Sequence, residues 1–220
     1  MSDISAEQVK ALRETTGAGM MECKKALVES NGDLERAVEL LQEKGLAQAR
    51  KRAGRSANQG LIDSYIHFNN TVGVLVEVNC ETDFVANTDE FRTLVKDVAL
   101  HIASPSAPRF VAREDVPTDE VERERHIFEV QAKETGKPDH VVEKIVQGKL
   151  EAFYADVALL DQPFVRDESK TVRQLLDEVS AKVGEKVAVR RFVRYKLGED
   201  ARLRASTGTA RTTWACSRRS

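Results

Sequence analysis

Residues 72–80, Val-Gly-Val-Leu-Val-Glu-Val-Asn-Cys, form a strongly β-branched run, and this run limits the fold more than any other part of the chain. Before it, Leu61, Asp63, Tyr65 and His67 alternate with Ile62, Ser64, Ile66 and Phe68, and Asn69-Asn70-Thr71 supply turn chemistry between the two segments. A period of two on either side of a short polar turn predicts an antiparallel hairpin. Residues 187–195 alternate again and predict a third strand, whose arginines on both faces suit a sheet edge. Elsewhere the apolar period is helical, so the expected class is α+β: a three-stranded antiparallel sheet with packed helices.

The helical signals fall into groups. Ser5-Ala-Glu-Gln8 has the form of a capping box ahead of Val9 and Leu12, and Thr16-Gly-Ala-Gly19 interrupts the pattern. Met20, Cys23, Ala26 and Leu27 resume it; Asn31-Gly32 stops it; Asp33 caps a third segment carrying Leu34, Ala37, Val38 and Leu41. Residues 1–46 therefore read as a three-helix head, too small to be stable without docking or binding something. Residues 47–59 read as a basic connector, and 60–200 as the core domain. Within the core, Asn87-Thr-Asp-Glu90 caps a helix with Phe91, Leu94, Val95, Val98 and Ile102 on its inner stripe. Two further helical patterns in 118–153 are split by Gly136-Lys-Pro138, which predicts an antiparallel helical hairpin. There Val121, Ile127 and Phe128 are expected to face Val142, Ile145, Val146 and Phe153. Residues 159–164 read as an extended loop, and Thr171-Val-Arg-Gln174 caps a last helix with Leu175, Leu176, Val179 and Val183 inward, ended by Gly184.

Charge and composition exclude several classes. The chain carries 34 basic and 36 acidic residues, for a net charge of −2. Residues 201–220 hold five arginines and no acid, which leaves 29 basic against 36 acidic in the rest, a net −7. A mildly acidic body is unlike a protein that coats nucleic acid, and the basic tail is expected to be disordered. No apolar run approaches the roughly 20 residues of a membrane helix, and the start is acidic and polar where a secretory signal is basic then apolar. Three cysteines far apart, Cys23, Cys80 and Cys216, suit free thiols in a reducing cytoplasm.

Reaction chemistry is nearly absent. There is no GxxxxGK[ST] loop and no glycine fingerprint between a strand and a helix, so direct nucleotide binding is not expected. The four histidines, His67, His101, His126 and His140, lack metal-ligand spacing, and no cofactor is implied. The chain reads as one that acts by binding rather than as an enzyme. One loop is unusual: in Cys80-Glu-Thr-Asp-Phe-Val-Ala-Asn87 a large apolar ring, Phe84, sits beside a carboxylate where a connection is normally polar.

Several segments together resemble the bacterial elongation factor Ts family: Thr16-Gly-Ala-Gly-Met-Met-Glu-Cys-Lys-Lys-Ala-Leu27, Asn31-Gly-Asp33, Val78-Asn-Cys-Glu-Thr-Asp-Phe-Val85, Gln162-Pro-Phe164 and Ser169-Lys-Thr-Val172. The resemblance spans nearly all of 4–198. It implies a ubiquitin-associated-like head, a core sheet, a projecting coiled-coil hairpin, and guanine-nucleotide exchange on elongation factor Tu, bound with GDP or without nucleotide. It also implies that Thr82, Asp83, Phe84 and Val85 displace the partner's magnesium ion. Arg13, Met20 and Met21 are implied as head contacts, with His67 a weaker candidate. Longer members carry two core repeats; here one hairpin follows the connector, as in short forms that work as homodimers. The rival reading is a ribosome- or RNA-binding module using Arg50, Lys51, Arg52 and the tail, whose binding would collapse steeply with salt.

Overall fold

The computed structural model describes residues 4–16, 18–52, 54–134 and 136–199, the side chains of 46 and 48–50 excepted. The basic tail expected at 201–220 and the Arg50 side chain lie outside the described residues.

Helix α1 (Ala6–Thr16) opens with the reciprocal cap that its sequence specifies. The Gln8 amide N–H donates to Ser5 Oγ at 3.2 Å, and the Ser5 N–H donates to Gln8 Oε1 at 3.0 Å. Helix α2 (Met20–Glu29) ends where Asn31 and Gly32 take positive φ, and α3 (Leu34–Arg52) starts with the Arg36 N–H donating to Asp33 Oδ1 at 3.1 Å. Val9, Leu12, Cys23, Ala26, Leu27, Ala37 and Leu41 form the core of this head. Helix α3 does not stop at residue 46. It runs six residues into the basic connector, to Arg52, and packs against a later helix, α8 (Val172–Val183). Gly45 permits that approach: a Cβ there would lie 3.2 Å from the Ala181 Cβ.

Strands β1 (Gln59–Ile66) and β2 (Val72–Cys80) form the expected hairpin, with Leu61 opposite Val78 and Tyr65 opposite Val74. At the start of β1 only glycine fits, because Gly60 has φ +144° and an added Cβ would lie 2.2 Å from the Val78 carbonyl oxygen. Strand β5 (Ala188–Lys196) pairs antiparallel with the other side of β2, giving the order β1-β2-β5 and placing β5 at an edge. Its arginines divide between the faces. Arg191 Nε meets Glu77 Oε2 at 2.7 Å on the outer face, and the buried Arg194 meets Glu199 at 2.9 Å.

One face of the sheet is covered. Helix α5 (Asp89–Ala103) lays Phe91, Leu94, Val95, Val98 and Ile102 against Val74, Val76 and Val78. Its cap is Thr88, whose Oγ1 accepts from the Phe91 N–H at 3.3 Å, one residue later than the Asn87 cap expected. The opposite face leaves Ile62, Ile66, Leu75, Val193 and Tyr195 exposed.

Helices α6 (Thr118–Lys133) and α7 (Asp139–Val157) pack on each other through Val121, Phe128 and Ala132 with Val142, Ile145, Val146 and Leu150. Ile127, expected in this seam, is 46% exposed. The seam follows the seven- and four-residue spacing of Val121, Phe128 and Ala132, and Ile127 lies about 100° around the helix from Phe128. Phe153 lies at the end of the seam, where it and Val121 both pack against Phe110, Val116 and Val157. Residues 159–164 are not simply an extended loop. Leu159–Asp161 is a 3-10 turn, and β3 (Pro163–Phe164) pairs with β4 (Asp167–Thr171). The polar run Asp-Glu-Ser-Lys-Thr has no apolar alternation by which that strand could be recognised. The structure is thus α+β, with eight helices and a three-stranded antiparallel sheet among the described residues. No described helix is long and apolar enough to cross a membrane.

Candidate partner-binding site

Strand β2 ends in a tight helical turn, α4 (Asp83–Ala86), and this turn decides where Phe84 points. Thr82 caps it, its Oγ1 accepting from the Val85 N–H at 3.4 Å. Ala86 is buried and Val85 packs against the main core. With positions 82, 85 and 86 turned inward, helical geometry sends 83 and 84 the other way. Phe84 is 82% exposed, and Asp83 is exposed beside it. A ring folded back onto α5 would be buried; this one is not.

The four residues 82–85 therefore divide into two kinds. Asp83 and Phe84 face solvent, whereas the Thr82 and Val85 side chains fix the turn. A second anchor comes from more than a hundred residues away. Glu185 Oε2 accepts from the Glu81 N–H at 3.1 Å and the Thr82 N–H at 3.0 Å, and its Oε1 accepts from Thr82 Oγ1 at 2.7 Å. In return, Glu81 Oε1 accepts from the Lys186 N–H at 2.7 Å. Arg55 Nη1 lies 3.3 Å from the same Glu81 oxygen. The Lys186 N–H, seconded by the Arg55 guanidinium, holds the Glu81 carboxyl below its ordinary pKa. Cys80, at the strand end, donates its thiol to the Thr82 carbonyl at 3.1 Å, and burial pushes that thiol up to about 11. It is a packed thiol rather than a reactive one.

Glu81, Glu185, Arg55 and Lys186 were invisible as site components in the sequence. Charged residues on two loops and a connector carry no periodicity, and nothing local pairs position 81 with 186.

Arg13, Met20 and Met21 all lie on the head. Arg13 is in the last turn of α1, and the two methionines occupy the first turn of α2, 50% and 66% exposed. Met21 also borders a shallow groove of about 280 Å³ with Lys24, Lys25, Val28 and Glu29. Cys23, one helical turn on from Met20, is buried in the head's core, whereas neither methionine belongs to that cluster. Two adjacent exposed thioethers form an adaptable apolar surface.

His67 stands apart from both groups. It lies at the hairpin turn, where its N–H donates to the Val72 carbonyl at 2.9 Å, and its Nδ1 is 3.1 Å from the Tyr65 hydroxyl. Strand β2 separates this turn from Thr82 by roughly 26 Å, at 3.3 Å per residue. Within one copy of the chain, His67 and Phe84 cannot touch the same small feature of a partner.

Among the described residues no group of three or more His, Cys, Asp or Glu is placed to hold a metal ion. The site's chemistry is that of a surface: one ring, one carboxylate and a rigid support.

Comparison with known proteins gives a consistent result. The family model for "Elongation factor TS" matches residues 3–199. Elongation factor Ts of Desulforamulus reducens is 57% identical over 199 residues, covering 90% of this chain and 91% of that protein. Elongation factor Ts of a Thermoanaerobacter species is 57% identical over 196 residues, covering 89% and 96%. That of Geobacter metallireducens is 55% identical over 196 residues, covering 89% and 90%. With the pinned, exposed turn 82–85 and the methionine pair lying inside a match that spans nearly every described residue, this chain belongs to the elongation factor Ts family.

Proposed function

We propose that this protein is a translation elongation factor that binds elongation factor Tu in its GDP-bound and nucleotide-free states and drives GDP release. It acts by binding, without a chemical step of its own, and in the cytoplasm. Coupling between partner and nucleotide is reciprocal, so a protein that binds the open carrier better than the closed one must weaken GDP. The Asp83–Phe84 pair enters the carrier near its switch elements, shifting them so that the magnesium ion and the phosphates lose their ligands. The observation that carries this reading is the ring of Phe84, 82% exposed on a turn anchored at both ends. Burial of that ring contributes about 1.5–3 kcal/mol. Moving a carrier from mostly closed to mostly open takes about 5 kcal/mol of differential affinity. The remainder comes from the head, of ubiquitin-associated kind, through Arg13, Met20 and Met21.

The sheet's open face favours a homodimer. Ile62, Ile66, Leu75, Val193 and Tyr195 form an exposed apolar surface on a sheet covered on its other side only. A second copy of the chain covers it in this reading and stands in for the second core repeat of longer relatives. The helical hairpin projects from this core.

Two basic side chains of the connector, Arg52 and Arg55, are engaged internally, which weighs against a ribosome- or RNA-binding role for them. Arg52 Nη1 donates to the Ser180 carbonyl at 3.3 Å, and Arg55 pairs with Glu81. The direct test is release of a fluorescent GDP analogue from elongation factor Tu. Substoichiometric amounts of this protein should accelerate release over many turnovers; no acceleration at equimolar protein would refute the proposal.

A further inference from the structure

Two loops that are far apart in sequence hold each other through their carboxylates. The loop 81–82 presents its backbone N–H groups to Glu185, and the loop 185–186 presents the Lys186 N–H to Glu81. The exchange is reciprocal, and each carboxylate spans the gap between the end of β2 and the start of β5. Three donors converge on Glu185: two backbone N–H groups on Oε2, and the Thr82 hydroxyl on Oε1. The Thr82 hydroxyl uses its proton on Glu185 and its lone pairs to cap α4 through Val85, so the cap and the tether are one chain of hydrogen bonds.

The same loop is tied toward the head. Ser180 Oγ donates to the Glu185 carbonyl at 2.6 Å, and the Ser180 carbonyl accepts from Arg52 at the end of α3. Lys186 Nζ donates to the Arg55 carbonyl at 2.8 Å. A continuous set of contacts therefore runs from the last turn of α3 through residues 180–186 to the turn that carries Phe84. Glu185 is half-buried and its carboxylate is occupied by these donors, so it is a poor candidate for touching a partner itself.

We infer that Glu185 is a positioning residue for nucleotide exchange: its carboxylate clasps the 81–82 backbone and so fixes the direction in which Asp83 and Phe84 enter the partner. The inference rests on the proposed role of residues 82–85. A wedge acts only if its support does not yield, because a ring that swings freely can bind the carrier without displacing its switch elements. Releasing the clasp should leave most of the binding surface intact while reducing the work done by the wedge.

The test is mant-GDP release from elongation factor Tu at increasing concentrations of the full chain, read as a saturating rate and a half-saturating concentration. Glu185→Ala should lower the saturating rate by about tenfold or more, as expected for a misplaced reacting surface, with the half-saturating concentration within about threefold of wild type. Glu185→Gln keeps an acceptor for both N–H groups and should restore most of the rate. In a Phe84→Ala background, Glu185→Ala should change the rate by less than about twofold, since the two act as one unit. If the alanine variant does not fold, Glu185→Asp, which withdraws the carboxylate by one methylene, is read in the same way. A folded Glu185→Ala or Glu185→Asp protein at the wild-type rate overturns the inference, as does an equal loss with and without Phe84. Were Phe84→Ala alone to leave the rate unchanged, the proposed function of the turn would fail first; slowing by Phe84→Ala without slowing at Glu185 would remove only the clasp.

Discussion

Phe84 and His101 show how differently two ring side chains earn their places. Phe84 makes almost no contact within its own chain, so its removal should change folding stability by no more than about 0.5 kcal/mol. His101 is buried, and its two nitrogens are committed. The Val165 N–H donates to Nδ1 at 3.2 Å, which leaves the proton on Nε2, 2.9 Å from the Gln162 side-chain oxygen. Gln162 in turn donates to the Ser106 and Asp156 carbonyls. A second ring proton would face the Val165 N–H. Burial holds the His101 pKa below its ordinary value, against the raising effect of Gln162. The unfolded chain therefore takes up the proton first as pH falls. Stability that is fully present above the unfolded pKa, about 6.5, is lost below it, down to the lower folded value. Denaturant unfolding at pH 7.5 and 5.5 should show lower stability at 5.5, and the difference should shrink in His101→Gln. An equal difference in both proteins would assign the pH effect to other groups.

At the scale of elements, legibility followed periodicity. The β1–β2 hairpin, the inner stripe of α5 and the caps at Ser5 and Thr171 were readable because alternation, helical spacing and capping chemistry are local. The Thr171 cap is reciprocal with Gln174, and Thr171→Ala should cost about 1 kcal/mol by thermal unfolding. Strand β4, the outward Ile127 and the continuation of α3 to Arg52 were not readable. Each is set by what the element meets in three dimensions: Phe164 and its neighbours for β4, the Phe128–Ala132 seam for α6, and Ala181 for α3. The candidate site divides the same way. The oddity of Phe84 was plain from its loop, but its support was not, because Glu185 lies 103 positions from Thr82. The α3–α8 crossing gives an element-level test. In Gly45→Leu a side chain must enter a gap in which even a Cβ would sit 3.2 Å from Ala181. The helices should separate, lowering the melting temperature and slowing exchange while the secondary-structure content is kept; unchanged melting and exchange would show the crossing to be slack.

At the scale of the whole molecule, two groups of exposed apolar side chains among the described residues differ in extent. Phe84 and the methionine pair are small exposed apolar features, which under the proposed function meet a partner that must later be released. The outer sheet face carries Ile62, Ile66, Leu75, Val193 and Tyr195 beside the Glu77–Arg191 pair, and under the proposed dimer a second copy covers it. Leu75→Lys places a charge at the middle of that face, opposite Ser64 and Val193. By sedimentation equilibrium the wild-type protein should have twice the chain mass and this variant once; a wild-type monomer at tens of micromolar would rule out the dimer. The most direct test of the wedge itself is the saturating rate of GDP release from elongation factor Tu by Phe84→Ala beside wild type, both verified as folded. A fall of roughly tenfold to hundredfold is expected from the lost burial. Release at the wild-type rate would contradict it.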